Sequence, residues 1–336
     1  MRDLRLNVDI ECWPLRAPFR IADHIFDAVE VVLVSLEKDG AVGRGEAAGV
    51  FYRDDLPSLM VAQIESVRDQ VEAGVTRESL LHLIAAGGAR NALDCALWEL
   101  EAQMTGRSVS AIAGLDEPKP LLTTFTCGAD VPDRMAAAAS AYATAKAIKI
   151  KLTGDSQDVE RVRAVRRVRP DVWLGIDANQ SLSRLKLDNL LPILVDEGVS
   201  LIEQPFPVGE EALLDGLHSP IPIAADESAQ TLADLPRLTG RFEVINIKLD
   251  KCGGLTEGLA LARAAAECGM QVMVGNMLGT SLAMAPAFVL GQLCDLVDLD
   301  GPVFLKTDRR RTVQYVDGYI SCPDDLWGGA RTGLRN

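Results

Sequence analysis

The side chains in this chain most able to do chemistry are charged groups that each close a short apolar run. Lys149-Ile150-Lys151 closes one, Asp177, Glu203 and Asp226 close the next three, Lys248 closes a later one, and Asp298-Leu299-Asp300 closes the last. A charge is costly to bury unless it is paired or bound to an ion. Asp177, Glu203 and Asp226 follow one another at intervals of 26 and 23 residues, so three oxygen donors can converge from three neighbouring elements. Mg²⁺ suits such a set, because it takes few carboxylates, keeps waters and leaves room for substrate oxygens. No His or Cys stands beside these acids to suggest zinc. Taken singly, each acid is equally well read as a cap on the helix that follows; three in register, flanked by lysines, are better read as an ion site.

Lys149 and Lys151 stand two apart, so on a strand both face one way. Alone, such a pair is a half-exposed strand with solvated amines. Beside a cation and each other, their protonated forms are disfavoured, which is the direction a lysine base requires. Lys248 comes four strands later and would face them across the mouth of a closed sheet. Two amines on opposite sides of one carbon can take a proton from one face and return it on the other, inverting a stereocentre. The proton in question would lie next to a carboxylate, and its removal leaves an enediolate whose charge a bound metal stabilises.

These groups need a scaffold that brings many strand ends together. Apolar runs at Leu121–Thr126, Ala147–Leu152, Val172–Ile176, Val199–Ile202, Ile221–Ala225, Val244–Leu249, Gln271–Val274 and Leu296–Leu299 start 22 to 27 residues apart, each followed by a helical stretch that is least clear after the eighth. Eight even strand–helix units predict an α/β fold of the (β/α)8 TIM-barrel type, with the site at the C-terminal strand ends. A doubly wound open sheet could share the pattern, but no Gly-rich dinucleotide fingerprint is present. Residues 1–118 read as an α+β domain. Strands are expected at 2–12, Glu30–Lys38 and Ala41–Glu46, with Asp39-Gly40 as a hairpin turn. Helices are expected at Leu59–Ala73 and Asn91–Met104. Residues 119–305 form the barrel, and 306–336 pack back on the first domain.

The net charge of −14, with pI near 4.8 and no long Lys/Arg run, argues against a nucleic-acid surface. Seven scattered cysteines without a CxxC pair read as free thiols in a reducing cytosol. The N-terminus lacks the apolar stretch of a signal peptide, and no run of about 18 apolar residues could span a bilayer. A cytoplasmic protein without membrane or nucleic-acid partners is expected; a homo-oligomer is left open.

Lys149-x-Lys151, Asp177-Ala-Asn179, Glu203-Gln204-Pro205, Asp226-Glu227-Ser228 and Ile247-Lys248-Leu249 together resemble the motifs of the muconate-lactonizing-enzyme subgroup of the enolase superfamily. Asn91-Ala-Leu-Asp-Cys-Ala-Leu-Trp resembles the helix of that subgroup's capping domain. The resemblance implies a modified, enolase-like barrel whose N-terminal capping domain is completed by the C-terminal segment. It implies Lys151 and Lys248 as acid/bases, and Lys149 as the holder of the substrate carboxylate and the group that lowers the pKa of Lys151. Asp177, Glu203 and Asp226 are implied as Mg²⁺ ligands, with Asn179 and Glu227 behind them. The subgroup hosts muconate cycloisomerases, o-succinylbenzoate synthases, N-acylamino-acid racemases and dipeptide epimerases.

Asp298 and Asp300 bear on the choice among these reactions, since two carboxylates in the mouth suit the free ammonium of a dipeptide. The alternative, that they cap a following turn, is open on sequence alone. Epimerases of the subgroup carry such a DxD before Gly-Pro, here Gly301-Pro302, and touch substrate at the position of Thr126. Those acting on L-Ala-L-Glu carry an Arg in a mobile loop after the first strand. Here that loop reads Phe19 to Asp27 and places Phe26 at the Arg position, with His24 and Arg20 as the polar groups nearby. The expected substrate is therefore an L-Ala-L-Xaa dipeptide in which Xaa is apolar or aromatic.

Overall fold

The computed structural model describes residues 4–21 and 24–329. Strands β1 (Arg5–Ile21), β2 (His24–Lys38) and β3 (Ala41–Ala47) form an antiparallel sheet in chain order. Asp39 and Gly40 both take positive φ, 49° and 81°, the two-residue turn that matches strand twist. The sheet runs further than its sequence pattern suggests. Phe19 pairs with Phe26 and Ile21 with His24, so the expected loop is the far end of a long hairpin; its Ala22 and Asp23 lie outside the described residues.

Helices α1 (Pro57–Ser66) and α2 (Arg68–Glu72) divide at Val67, whose backbone leaves helical geometry, where a single helix was expected. A further helix, α3 (Arg77–Leu83), begins at a Thr76–Ser79 capping box and was not anticipated. Helix α4 (Gly88–Thr105) is buried along most of its length because it is clamped between sheet and barrel. On the sheet side, a Cβ at Gly45 would overlap the Ala92 carbonyl. On the barrel side, Trp98 Nε1 donates to Thr256 Oγ1 at 2.9 Å and Arg90 to the Cys252 carbonyl at 2.5 Å.

The first expected barrel strand is split at Thr123. Leu121–Leu122 (β4) pairs antiparallel with a C-terminal hairpin, and Thr124–Cys127 (β5) enters the barrel. Thr123 causes the split, its N–H donating to the Gly318 carbonyl and its hydroxyl accepting from Leu299 N–H. Parallel strands β6 (Ala147–Lys151), β7 (Trp173–Asp177), β8 (Leu201–Glu203), β9 (Ile223–Ala225), β10 (Val244–Lys248), β11 (Gln271–Gly275) and β12 (Leu296–Val297) follow in chain order. Among the described residues no backbone ladder joins β5 to β12. The seam is closed by polar side chains instead: Thr124 Oγ1 donates to Asp298 and Thr126 N–H to Asp300.

The expectation of eight full strand–helix units needs correction. Helices of ten or more residues follow β5, β6, β7, β10 and β11, whereas short turns follow β8 and β9 and a single 3₁₀ turn, Gly301–Phe304, follows β12. The C-terminal hairpin, β13 (Gln314–Val316) and β14 (Tyr319–Ser321), joins β4. Its flanks reach the N-terminal sheet, with Arg309 on Glu46 at 2.7 Å and Trp327 Nε1 on the Arg44 carbonyl at 2.8 Å. None of the described helices is long and apolar enough to cross a membrane.

Candidate active site

Strand parity builds the site. Outward residues such as Ile148, Ile150, Ile176, Ile245 and Ile247 join the main core beneath the helices. Inward residues begin at the bottom with an apolar layer, Leu201, Ala224, Val244 and Met273 with Trp173 and Leu296. Two to four residues higher on the same faces, the inward positions become Lys149, Lys151, Asp177, Glu203, Asp226, Asn246, Lys248, Asp298 and Asp300. Lys151 pairs across with Asp177, and Asp177 with Glu203, so adjacent strands present them in one row.

The carboxylates of Asp177, Glu203 and Asp226 are buried, with one oxygen of each lying within 4.8 Å of the others. Among the described residues this is the one convergent cluster of possible metal ligands. Its donors are all hard carboxylate oxygens, with no imidazole or thiol, so the set fits Mg²⁺. Lysines surround it. Lys149 Nζ lies 3.1 Å from Glu203 and contacts Asp298; Lys151 pairs with Asp177; Lys248 Nζ lies 2.7 Å from Asp226. The KxK pair on β6 and Lys248 on β10 thus flank the acids from opposite sides.

Burial by itself would lower Lys149, but Asp298, Glu203 and Asp177 outweigh it and hold the ammonium well above its usual range. Lys248 is likewise raised, with Asp226 and Glu203 overcoming burial. Burial, and then the charge of Asp177, pushes Glu203 up to about 7. Burial would also raise Asp226, yet Lys248 and Lys251 hold it well below the ordinary carboxylate range.

Lys251 is a residue that sequence reasoning missed. It is buried in the turn after β10 and donates to Asp226 Oδ1 at 2.6 Å, the Asp226 carbonyl at 2.5 Å and the Asn246 carbonyl at 2.9 Å. Asn246 was also missed, although it stands two before Lys248 on the same strand face; its Nδ2 donates to Glu203 Oε1 at 2.7 Å. Asn179 and Glu227 meet as the motifs suggested, Asn179 Nδ2 donating to Glu227 Oε1 at 3.1 Å. Asn179 Oδ1 and Glu227 Oε2 have no partner though buried, and both residues line the cavity above the acids.

Asp298 and Asp300 both line that cavity. Asp300 precedes the 3₁₀ turn but its side chain does not cap it, which removes the turn-capping alternative. Asp298 instead pairs with Lys149 and Thr124, and Asp300 accepts from Thr126 N–H at 2.6 Å. Burial and the charge of Asp298 push Asp300 up to about 7.

The cavity, about 460 Å³, is roofed by the N-terminal domain. Phe26 lies 5.2 Å edge-on to Phe51, His24 lies tilted 4.9 Å from Phe51, and Phe19 lies 4.3 Å from Phe304. Phe26 and His24 both line it, whereas Arg20 is exposed and does not. Among its described lining residues there is no arginine.

A capped parallel barrel with acids gathered between opposed lysines at its mouth defines the enolase-superfamily class. Residues 5–114 match the family described as mandelate racemase / muconate lactonizing enzyme, N-terminal domain, and residues 133–328 match that described as enolase C-terminal domain-like. The chain belongs to this mandelate racemase / muconate lactonizing enzyme family of the enolase superfamily. It is 42% identical to the L-Ala-D/L-Glu epimerase of Escherichia coli (strain K12), over 92% of this chain and 97% of that one. It is also 42% identical to an N-acetyl-D-glutamate racemase of Pseudoalteromonas sp, over 76% and 81% of the two chains. A crystal structure of the dipeptide epimerase from Methylococcus capsulatus, complexed with Mg and the dipeptide L-Arg-D-Lys, superposes with a TM-score of 0.89. Identity there is 30%, covering 96% of this chain and 98% of that one.

Proposed function

We propose that this chain is a dipeptide epimerase that inverts the α-carbon of the C-terminal residue of an L-Ala-L-Xaa-type dipeptide, Xaa being apolar or aromatic. The observation that carries the reading is the opposition of Lys151 and Lys248 across one buried carboxylate cluster. One lysine, neutral, accepts the α-proton from its face of the substrate; the other, protonated, gives a proton to the opposite face. The two protonation states exchange and the product is the epimer. Lys149 holds the substrate carboxylate. Asp177, Glu203 and Asp226 are the residues that would hold Mg²⁺, which when bound supplies positive charge against the negative charge that develops on that carboxylate. Asp298 and Asp300 take the substrate's ammonium, which releases Asp298 from Lys149 and frees that amine for the carboxylate.

The side-chain preference rests on the aromatic roof and on the absence of arginine among the described lining residues. The second reading, racemisation of an N-acylated amino acid, is favoured by one of the two relatives above, but it leaves Asp298 and Asp300 without an ammonium to bind. The test is exchange of the α-hydrogen in deuterated water, followed by NMR, across L-Ala-L-Xaa dipeptides, N-acetyl-glutamate and N-acetyl-phenylalanine, with Mg²⁺. Fastest exchange with L-Ala-L-Phe, L-Ala-L-Tyr or L-Ala-L-Leu is expected. Fastest exchange with L-Ala-L-Glu would overturn the side-chain preference, and fastest exchange with an acetylated substrate would overturn the dipeptide reading.

A further inference from the structure

The roof segment that follows β3 is tied to the two loops carrying the Lys248 side of the site. Gly49 N–H donates to Asp250 Oδ1 at 2.9 Å, in the turn directly after Lys248. Arg53 donates to Gln230 Oε1 at 2.8 Å, and Gln230 Nε2 donates to the Glu227 carbonyl at 2.7 Å, in the loop directly after Asp226. Tyr52 sits between these tethers and lines the same cavity as Asp226 and Lys248, its ring braced edge-on by Phe51 at 5.3 Å. Its hydroxyl is buried and has no hydrogen-bond partner of proper geometry. Gln230, whose amide oxygen accepts from Arg53 and keeps a second lone pair, is close by. A buried phenol left unpaired costs about 1–3 kcal/mol, and natural sites seldom carry such a group without use.

A use follows from the contacts of Lys248. Its Nζ is held by Asp226 Oδ2, yet Asp226 must offer an oxygen to the metal and Lys251 already occupies Oδ1. Asp226 would thus be shared among Lys248, Lys251 and a bound cation, and a second polar partner would hold the Lys248 amine in place. The unpaired group on the roof is the Tyr52 hydroxyl, which lines the same cavity as Asp226, Glu227 and Lys248. Its lone pairs can accept from the amine while its proton turns to Gln230 Oε1.

We propose that Tyr52 is a positioning residue for Lys248: its hydroxyl accepts a hydrogen bond from the Lys248 amine and aims it at the α-carbon. Lys151, on the opposite side and paired with Asp177, receives no such help. The inference rests on the two-lysine reading above, and the asymmetry it predicts between the faces makes it testable apart from that reading.

The experiment uses the full chain with Mg²⁺ and proteins that keep one lysine each. Lys151→Ala leaves only the Lys248 face able to exchange an α-hydrogen, and Lys248→Ala leaves only the Lys151 face. Tyr52→Phe, which retains the ring, is placed in each background, and α-hydrogen loss in deuterated water is followed for L-Ala-L-Phe and L-Ala-D-Phe. Tyr52→Phe is expected to slow exchange at the Lys248 face at least tenfold more than at the Lys151 face. Equal slowing at both faces, or no change in their ratio, overturns the proposal. If neither single-lysine protein exchanges either epimer although the wild type does, the assignment of the two bases fails. If the wild type exchanges no dipeptide, the epimerase reading falls and this inference with it.

Discussion

The mouth of the barrel and the roof above it are built on opposite principles. At the mouth, Asp177, Glu203, Lys149 and Lys151 are set by the inward parity and register of β6 to β8, and each is buried against an oppositely charged neighbour. Displacing one leaves a buried charge without compensation, so the arrangement tolerates little change. The roof hairpin is different. His24 is exposed, Phe26 is half-buried, and their partners are other aromatic rings. Ring contacts of this kind are each worth about 0.5–1.5 kcal/mol beyond their area and can be exchanged without leaving a charge stranded. The contrast separates chemistry from selection: the mouth can stay the same across substrates while the roof changes with them.

The hardest blow to the mouth is the loss of a base. Lys248→Ala should cut epimerisation about 10²- to 10⁴-fold, measured as inversion of either epimer, and a loss below tenfold would remove Lys248 from the chemistry. Next comes the cation beneath the cluster. Lys251→Met removes the amine that satisfies Asp226 Oδ1 and two backbone carbonyls. It is expected to lower stability by about 3–5 kcal/mol in chemical denaturation, whereas a roof substitution of similar size should cost much less. If both cost the same, the mouth is not the rigid partner.

The junction between the two regions gives a smaller, pH-dependent signal. Asp250, buried beneath the roof, is pushed by burial up to about 7. A carboxyl raised in the folded state binds its proton more tightly there than in the unfolded chain. Its contribution therefore favours folding at low pH and is lost as pH rises from the unfolded value near 4 to about 7, with a slope of at most about 1.4 kcal/mol per pH unit. Asp250→Asn should flatten that part of the stability profile, read as thermal midpoints from pH 4 to 8; an unchanged slope would assign the effect elsewhere. The smallest effect belongs to the roof itself. Phe26→Arg should raise the preference for L-Ala-L-Glu over L-Ala-L-Phe roughly two- to fivefold, the worth of a partly exposed ion pair. The kcat/KM ratio of the two substrates measures it, and no change would sever Phe26 from selection.

Much of the mouth could be read directly from the chain. A period of two fixes which strand residues share a face, and a strand's last residue must lie at the rim, so Lys149, Lys151, Asp177, Glu203 and Lys248 could be placed without coordinates. Asn246 obeyed the same rule and was legible, though overlooked. Other features had no local signal. Thr123 splits an apolar run that looks continuous because its partners, Leu299 and Gly318, are remote in sequence. The hairpin from Phe19 to Phe26 looks like a loop, since cross-strand pairing rather than alternation of burial holds it.

What the amino-acid order determined by itself was the type of chemistry: residue kind and spacing put acids and amines on one rim, because strand geometry is local and periodic. Which amine grips which acid, that Lys251 holds Asp226, and that Tyr52 lines the same cavity as Lys248 were decided only by the tertiary structure. Those contacts depend on how far each loop carries its side chain and on how two separately built domains meet, and no periodicity in the chain encodes either.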